Sequence, residues 1–221
     1  MMIRFLMTML LALCLVSPRS TEAITKTYTP EAAAAIERTA TVTFLPEGAV
    51  EGIVIGSGWA VKKDGSFKLV TAQHVGLALA GLAGSLEFCS IENECVAVDF
   101  RQGVGPVLGA GTTLDWIYWE VDELPRGLRA SRVGGDPVIG EPVCVAGAPL
   151  GRVGEYTCGQ VTNDLGPFFY LDARVLPGNS GGPVFDQRGR VIGMVVSIDF
   201  PEGLPPVENS AIAIQVDQIW L

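Results

Sequence analysis

Residues 176–184 (LPGNSGGPV) place a serine between glycines, and this is the clearest sign of chemistry in the sequence. A serine hydroxyl is a poor nucleophile unless a base accepts its proton and hydrogen-bond donors stabilise the oxyanion that forms on the attacked carbonyl. Glycine permits backbone angles that would direct the N–H groups of Gly178 and Ser180 toward one point. The segment therefore predicts a nucleophile at Ser180 with an oxyanion hole beside it; the alternative is a tight turn between strands.

The composition limits the candidates for the base of such a serine, because His74 is the one histidine in the chain. It follows an apolar stretch, 67–71, that is predicted to be a strand and that leads into a turn of small residues. A side chain at the end of a buried strand is held rigidly and can still reach a cleft. A lone histidine is more often a core or surface residue, but a histidine-dependent enzyme would have to use His74.

An orienting carboxylate would hold the imidazole in the tautomer that accepts the serine proton. Asp115 begins the apolar run 115–121 (DWIYWEV), where a charge is costly to bury without a partner, and His74 would be that partner. Asp99 and Asp122 compete with it, although a solvated position is the simpler interpretation for both. On the residues alone, Asp115 is favoured and the two alternatives stay open.

The elements that must position these residues are short strands. One helix, with Thr29 as its cap and Pro30 at its first position, precedes them. Two groups of five or six strands flank a joint at 134–137 and predict two antiparallel barrels or sandwiches, while the uncharged run 75–86 is predicted to be a buried helix or turn. The predicted strands are 41–45, 53–61, 67–71, 95–100, 116–121, 142–146, 156–162, 168–171, 183–185, 191–197 and 211–214, and a short closing helix is expected at 216–221.

The first residues are typical of a signal peptide, with a basic start, an apolar run over 5–16 and a polar stretch that ends in small residues. The run is shorter than the roughly 20 residues that a membrane-spanning helix needs. The sequence therefore predicts a leader over 1–23 and an exported chain, periplasmic or extracellular, without a stable membrane anchor. The remaining residues, 24–221, are enough for one domain or for a pair of tightly joined lobes, with the division predicted between 24–133 and 134–221.

Four cysteines would remain in the exported chain, and an even set predicts two disulfides. Cys89 and Cys95 bracket a short polar loop, while Cys144 and Cys158 flank a turn-rich stretch, so pairing within each couple is the simplest of three possibilities. A zinc site is not expected, because the chain has no C-x-x-C spacing and one histidine. We expect no metal and no cofactor.

The formal net charge of −9 bears on the partners of the protein. Such a charge repels phosphate backbones, which disfavours nucleic acid as a partner. The acidic surface is more simply interpreted as an aid to solubility. The sequence does not indicate an oligomeric state.

The three segments, in the order His, Asp, Ser, resemble those of the chymotrypsin-like serine proteases, and in particular those of the bacterial HtrA (Deg) type. GSGWAV at 56–61 is similar to the family's strand before the histidine, and TAQHV, LDWIYWEV and PGNSGGPV are similar to its catalytic segments. CVAGAPLG, CGQVT and GRVIGMVVSI extend the resemblance over nearly all of the predicted mature chain. The resemblance implies an all-β fold of two six-stranded antiparallel barrels, with short helices at both ends.

The same resemblance implies a serine endopeptidase that acts on a protein or peptide substrate. It assigns the base to His74, the orienting acid to Asp115 and the nucleophile to Ser180. The backbone N–H groups of Gly178 and Ser180 are implied as the oxyanion donors.

The substrate pocket implied by the resemblance has no acidic floor, because Arg174 stands six residues before the serine, where the trypsin branch keeps an acid. Tryptic specificity is therefore not expected. A pocket of modest size would favour small or aliphatic side chains, and an inward-pointing Arg174 would instead favour acidic ones. The predicted pocket residues are Arg174, Met194, Val195, Val196 and Ser197.

Some family properties do not carry over. Asn179 stands where the digestive branch has an aspartate that receives a new N-terminus, so activation by that route is not expected. The PDZ domain of HtrA-type proteases is not expected within the residues that follow Ser180 either. Two other functions remain open: an idle protease-like fold used for binding or assembly, and an esterase. The G-N-S-G-G pattern with the histidine first disfavours an α/β-hydrolase.

Overall fold

A computed structural model describes residues 28–77, 79, 81–106, 114–197 and 211–219 of the chain. The predicted signal peptide, 1–23, lies outside the described residues. Within the described part of the chain, no helix is both long enough and apolar enough to span a membrane.

Among the residues that the structure describes, two short helices and twelve strands follow one another, which confirms a mostly β protein. The helices are α1 (Pro30–Ile36) and α2 (Gln73–Leu77). The first six strands are β1 (Thr39–Pro46), β2 (Ile53–Lys63), β3 (Ser66–Thr71), β4 (Gly84–Cys89), β5 (Cys95–Val98) and β6 (Ile117–Val121). The last six are β7 (Pro142–Gly147), β8 (Glu155–Asp164), β9 (Phe168–Leu171), β10 (Pro183–Phe185), β11 (Val191–Ser197) and β12 (Ala211–Gln215).

The helix α1 begins as the sequence predicts. The side chain of Thr29 accepts a hydrogen bond from the Ala32 N–H, and Pro30 occupies the first helical position, where no N–H partner is needed. The other predicted terminal helix is a short 3-10 turn, Val216–Gln218. The helix after Thr29 is confirmed, whereas the predicted closing helix, 216–221, is a 3-10 turn over its first half, and residues 220–221 lie outside the described residues.

The strands form two antiparallel sheets of six. The second six close into a barrel in the order β10-β11-β12-β9-β8-β7. The first six form a sheet in the order β5-β4-β1-β2-β3-β6, in which β5 and β6 are the edges. The predicted double-barrel architecture is confirmed, with the difference that the first lobe is an open sheet among the described residues.

Two hydrophobic clusters fill the molecule. One lies within the closed barrel and includes Val143 and Val195. The larger one combines residues of the first sheet, such as Trp59, with residues of the second, such as Met194 and Ile214. The two lobes therefore share apolar contacts, and neighbouring residues of β11 point into different clusters.

Both predicted disulfides are present, Cys89–Cys95 and Cys144–Cys158. Each joins residues that face one another across a hairpin, β4 with β5 and β7 with β8, and the Cα atoms lie 4.0 Å apart in both. Each lobe therefore has one hairpin closed by a covalent bond.

The run 75–86 was predicted to be a buried helix or turn, and that prediction is only partly right. It starts inside α2, but β4 begins at Gly84, and Leu82 is exposed. Small residues gave no period-2 pattern at the start of β4, so the strand was not recognised.

Candidate active site

The pairing of β3 with β6 brings His74 and Asp115 to the same edge of the first sheet. The strands are antiparallel, with Thr71 opposite Ile117, so the end of β3 lies beside the start of β6. His74 follows Thr71 by three residues at the start of α2, and Asp115 precedes Ile117 by two. Two residues separated by 41 positions in the chain thus become neighbours.

Asp115 makes two contacts with His74. One carboxylate oxygen, Oδ2, is hydrogen-bonded to Nδ1 of the ring, and the other, Oδ1, accepts the backbone N–H of His74 at 2.9 Å. A carboxylate at Nδ1 favours the tautomer with its proton there, which leaves Nε2 as an acceptor. The His74 side chain is 44% exposed and that of Asp115 is 16% exposed, so the ring is accessible while the carboxylate is mostly covered.

The competing aspartates lie elsewhere. The Asp99 side chain caps a 3-10 turn, accepting the N–H of Arg101 at 3.0 Å. Asp122 follows β6 at the opposite end of that strand and is exposed. Of the three candidates, Asp115 is the one that contacts the histidine.

Ser180 lies in the second lobe, in the turn that precedes β10, and its backbone is hydrogen-bonded to the first sheet. The Ser180 carbonyl accepts the N–H of Ser57, in β2, at 2.9 Å. The Ser57 carbonyl in turn accepts the hydroxyl of Thr71, the last residue of β3, at 2.7 Å. The serine segment is therefore held beside the strand end from which His74 follows.

A glycine after the serine makes this close approach possible. Gly181 has a φ of +82°, and a Cβ at this position would overlap Thr71 Oγ1 and Ser57 O. Only glycine tolerates both the backbone angle and the contact. The glycine-rich segment that predicted a nucleophile is thus also the point where the two lobes meet.

The N–H groups of Gly178 and Ser180 are oriented by the carbonyls of their own peptide units. The carbonyl before Gly178, that of Pro177, accepts the Leu150 N–H at 2.7 Å, and the carbonyl before Ser180, that of Asn179, accepts the Gly182 N–H at 2.8 Å. In a trans peptide the N–H points opposite to the C=O. Within the described part of the chain, neither N–H donates a hydrogen bond, so both are available to a ligand.

The predicted pocket residues occupy different environments. Arg174 is exposed, and its carbonyl accepts the Thr157 hydroxyl at 2.9 Å. Met194 and Val195 are fully buried, in separate clusters, and Val196 is also buried. Ser197 is the last residue of β11. Their role as a substrate pocket stays a prediction.

One set of potential metal-ligating side chains occurs in the described ranges, Glu87 with Cys89 and Cys95. Both cysteines belong to a disulfide, which leaves a single carboxylate. A clear pKa shift belongs to Tyr156, a β8 residue opposite Ala146: burial raises the pKa of its phenol, and the nearby charge of Glu31 raises it further. Neither feature involves the residues around His74.

Sequence reasoning did not single out Ser57, although it contacts the serine segment directly. The available signal was a polar residue between two glycines, inside a strand that is otherwise apolar at its centre. A polar side chain in such a strand needs a hydrogen-bond partner.

Comparisons with known proteins identify the family and the fold. A family model described as a trypsin-like peptidase domain matches residues 56–194, more than half of the chain. A Staphylococcus aureus protein named "Serine protease HtrA-like" (strain bovine RF122 / ET3-1) is 30% identical over 196 residues, covering 79% of this chain and 24% of its own length. The same-named protein of strain USA300 is 29% identical with the same coverage. The chain spans about a quarter of the length of these curated relatives.

Solved structures show the same fold. The HtrA-type protease AlgW with a tripeptide is 25% identical with a TM-score of 0.61, and the match covers 86% of this chain and 60% of that one. A serine endoprotease from Yersinia pestis is 19% identical with a TM-score of 0.62, covering 88% of this chain and 65% of that one.

Proposed function

The chain belongs to the trypsin-like peptidase domain family, and on this basis we propose that it is a serine endopeptidase with Ser180 as nucleophile, His74 as base and Asp115 as orienting acid. The observation that carries the proposal is the contact between Asp115 and Nδ1 of His74, beside a strand end that is linked to the serine segment through hydrogen bonds to the Ser57 backbone. The oxyanion hole is assigned to the N–H groups of Gly178 and Ser180.

In the proposed reaction, Ser180 Oγ attacks the carbonyl carbon of the scissile peptide while His74 Nε2 accepts the hydroxyl proton. The C–O bond forms as the carbonyl electrons move to oxygen, and the resulting oxyanion faces the N–H groups of Gly178 and Ser180. Asp115 stabilises the imidazolium during this step.

Collapse of the tetrahedral intermediate then breaks the C–N bond. His74 gives its proton to the leaving amine, and the acyl group stays on Ser180 as an ester. Water then reacts through the same steps: it attacks the ester and passes a proton to His74, and the ester C–O bond breaks. Ser180 recovers that proton as the acid product leaves.

A peptide is the substrate class that we propose. Support comes from the family and from the similar HtrA-type protease AlgW, whose structure was solved with a tripeptide. For the residue before the scissile bond, the pocket is assigned to Arg174 and to the strand residues 194–197. The two alternatives are a preference for small aliphatic side chains and, through Arg174, one for acidic side chains.

We also propose that the protein works outside the cytoplasm, in the periplasm or the extracellular space. Two disulfides support this location, because they persist in oxidising compartments. The leader-like start of the sequence supports it as well.

The function is tested by hydrolysis of labelled casein and of a peptide library by the wild type and by Ser180→Ala. We expect Ser180→Ala to abolish turnover while circular dichroism stays native. Ser66→Ala is the matched control, because Ser66 opens β3 at the opposite end from His74 and its hydroxyl donates to the Lys63 carbonyl. Full turnover by Ser180→Ala would exclude Ser180 as nucleophile, and an inactive wild type would favour an idle fold.

The histidine provides a second arm of the same test. His74→Ala should lose turnover to the same degree as Ser180→Ala, and the double variant should lose no more than either single variant. Such non-additivity is expected of residues that act as one unit. Additive losses would show that the two residues work independently.

A further inference from the structure

We propose that Ser57 is a positioning residue for the oxyanion hole, which it holds through its hydroxyl. This inference rests on the proposed function, because it concerns how the Gly178 and Ser180 N–H groups are kept in place. Ser57 lies in β2 of the first lobe and contacts the serine segment of the second.

Four successive carbonyls of the serine segment, 177–180, each accept one hydrogen bond. The donors to positions 177, 179 and 180 are backbone N–H groups, at 2.7, 2.8 and 2.9 Å. The donor to the Gly178 carbonyl is the hydroxyl of Ser57, at 2.7 Å. The Ser57 hydroxyl is therefore the one side-chain group in this series, and the one that a point mutation can remove.

The Gly178 carbonyl belongs to the peptide between the two oxyanion donors. Gly178 has a φ of +101°, a region that glycine reaches without strain, and because it lacks a Cβ it restricts the orientation of the neighbouring peptides less than other residues would. Fixing this carbonyl limits rotation of the peptide that links the two N–H groups. A donor that moves by about 1 Å loses much of its stabilising effect on the transition state.

The Ser57 oxygen has a second partner. It accepts the backbone N–H of Ala148 at 3.0 Å, in a buried hydrogen bond. Ala148 precedes the turn Pro149–Gly151, and Leu150 in that turn donates to the Pro177 carbonyl. Through one oxygen, Ser57 thus holds the Gly178 carbonyl directly and also the turn that orients the Gly178 N–H.

Packing leaves no simple replacement for the hydroxyl. Ser57 is 0% exposed. Glycines of the second lobe surround it: a Cβ on Gly147 would lie 2.8 Å from Ser57 Oγ, and a Cβ on Gly182 would lie 3.2 Å from Ser57 Cβ. Removing the hydroxyl would leave the Gly178 carbonyl and the Ala148 N–H without that partner in a tightly packed region.

The test compares Ser57→Ala with Ser131→Ala in the full chain. Ser131 is the matched control, because it is also a buried serine of the first lobe, but its hydroxyl has no hydrogen-bond partner within the described residues. The readouts are kcat and KM on a fluorogenic peptide that the wild type cleaves, and the affinity for a peptide aldehyde, which forms a tetrahedral oxyanion on Ser180.

We expect Ser57→Ala to lower kcat by about 10- to 100-fold, less than the loss of a direct oxyanion donor, and to weaken aldehyde binding by a similar factor. KM should change by less than about twofold, because ground-state contacts are not altered. Ser131→Ala should match the wild type in all three. Ser57→Cys, which keeps a weak donor of similar shape, should fall between Ser57→Ala and the wild type.

Equal kcat and aldehyde affinity in Ser57→Ala and Ser131→Ala would overturn the inference. If Ser57→Ala does not fold, Ser57→Cys decides, and a lower kcat at constant KM in that variant supports the inference. Wild-type values in Ser57→Cys, or its failure to fold, would leave Ser57 with a structural role alone and would overturn the inference. Failure of the proposed function has a different signature, which is turnover that survives Ser180→Ala.

Discussion

The two lobes hold the proposed catalytic residues by different means. In the open sheet of the first lobe, His74 and Asp115 lie where β3 ends and β6 begins, and side-chain contact keeps the ring in position. In the closed barrel of the second lobe, Ser180 is held by hydrogen bonds to the backbone on both sides of it. The His74 ring at the sheet edge is accessible, whereas the backbone around Ser180 in the barrel turn is fixed on both sides.

This difference makes the lobes sensitive to different substitutions. In the first lobe, replacing the Asp115 side chain by one of the same volume should abolish turnover and leave the stability of the protein unchanged. In the second lobe, besides Ser180 itself, a glycine such as Gly181 is sensitive, because an added side chain there would overlap neighbouring atoms. The contact between the lobes, around Ser57 and Gly181, should combine both kinds of sensitivity.

Among the substitutions that compare the two lobes, Asp115→Asn should give the largest loss of turnover, a fall in kcat on the order of 10⁴-fold, by analogy with the effect of this change in a triad. The amide keeps the shape of the carboxylate but donates toward Nδ1, which favours the wrong tautomer of His74. The unfolding midpoint in urea should remain within the error of the wild type. Asp99→Asn is the control, and an equal loss of kcat in that variant would contradict the assignment of the acid.

Gly181→Ala should follow, with a loss of roughly 2–4 kcal/mol in the free energy of unfolding and a fall in turnover. The reasons are backbone strain at positive φ and overlap with Thr71 and Ser57. Gly166→Ala separates the two reasons: Gly166 has a φ of +81°, nearly the same, but a Cβ there meets nothing within 4 Å.

Urea denaturation of both glycine variants measures the free energy of unfolding that each substitution costs. Gly166→Ala should lose only the strain, roughly 1 kcal/mol, and keep full activity. Equal losses in the two variants would show that the contact between the lobes adds nothing at Gly181.

Loss of a disulfide should affect turnover less than Asp115→Asn or Gly181→Ala does, and the loss of stability should differ between the lobes. The sequence separation of the cysteines is 14 for Cys144–Cys158 and 6 for Cys89–Cys95. In the chain-entropy model, removing these bonds should cost about 3 and about 2 kcal/mol, respectively.

Paired serine substitutions and thermal unfolding test this order. The Cys144–Cys158 hairpin also contains the turn that donates to the Pro177 carbonyl, so its removal should lower turnover as well. A larger effect on turnover from loss of Cys89–Cys95 would contradict this part of the comparison.

Much of the fold could be predicted from the sequence, because most strands carry strong local signals. The apolar and aromatic runs before His74 and after Asp115 identified β3 and β6, and Thr29 with Pro30 identified α1. The strand Gly84–Cys89 was missed, because the small residues at its start hide the alternation of a strand. Closure of one lobe and not the other was also out of reach, because it depends on pairing between distant strands.

The candidate site could likewise be predicted only in part. Residue types and order identified His74, Asp115 and Ser180 as candidates, and the contact between the first two is present in the structure. Ser57 was not recognised, since its importance depends on Gly178 and Ala148, more than 90 positions away. Hydrogen bonds across such separations leave no periodic pattern in a sequence.

The central claim is that the sheet edge of the first lobe and the barrel turn of the second form one reactive centre. Its most direct test is the rate at which a fluorophosphonate probe labels the protein, with the labelled peptide located by mass spectrometry. In this reaction the Ser180 oxygen forms a bond to phosphorus, fluoride leaves, and His74 takes the proton. We predict labelling on Ser180 in the wild type and at least a hundredfold slower labelling in His74→Ala, in line with the usual contribution of a general base. Labelling of Ser180 at the same rate in both proteins, or labelling at another residue, would contradict the account.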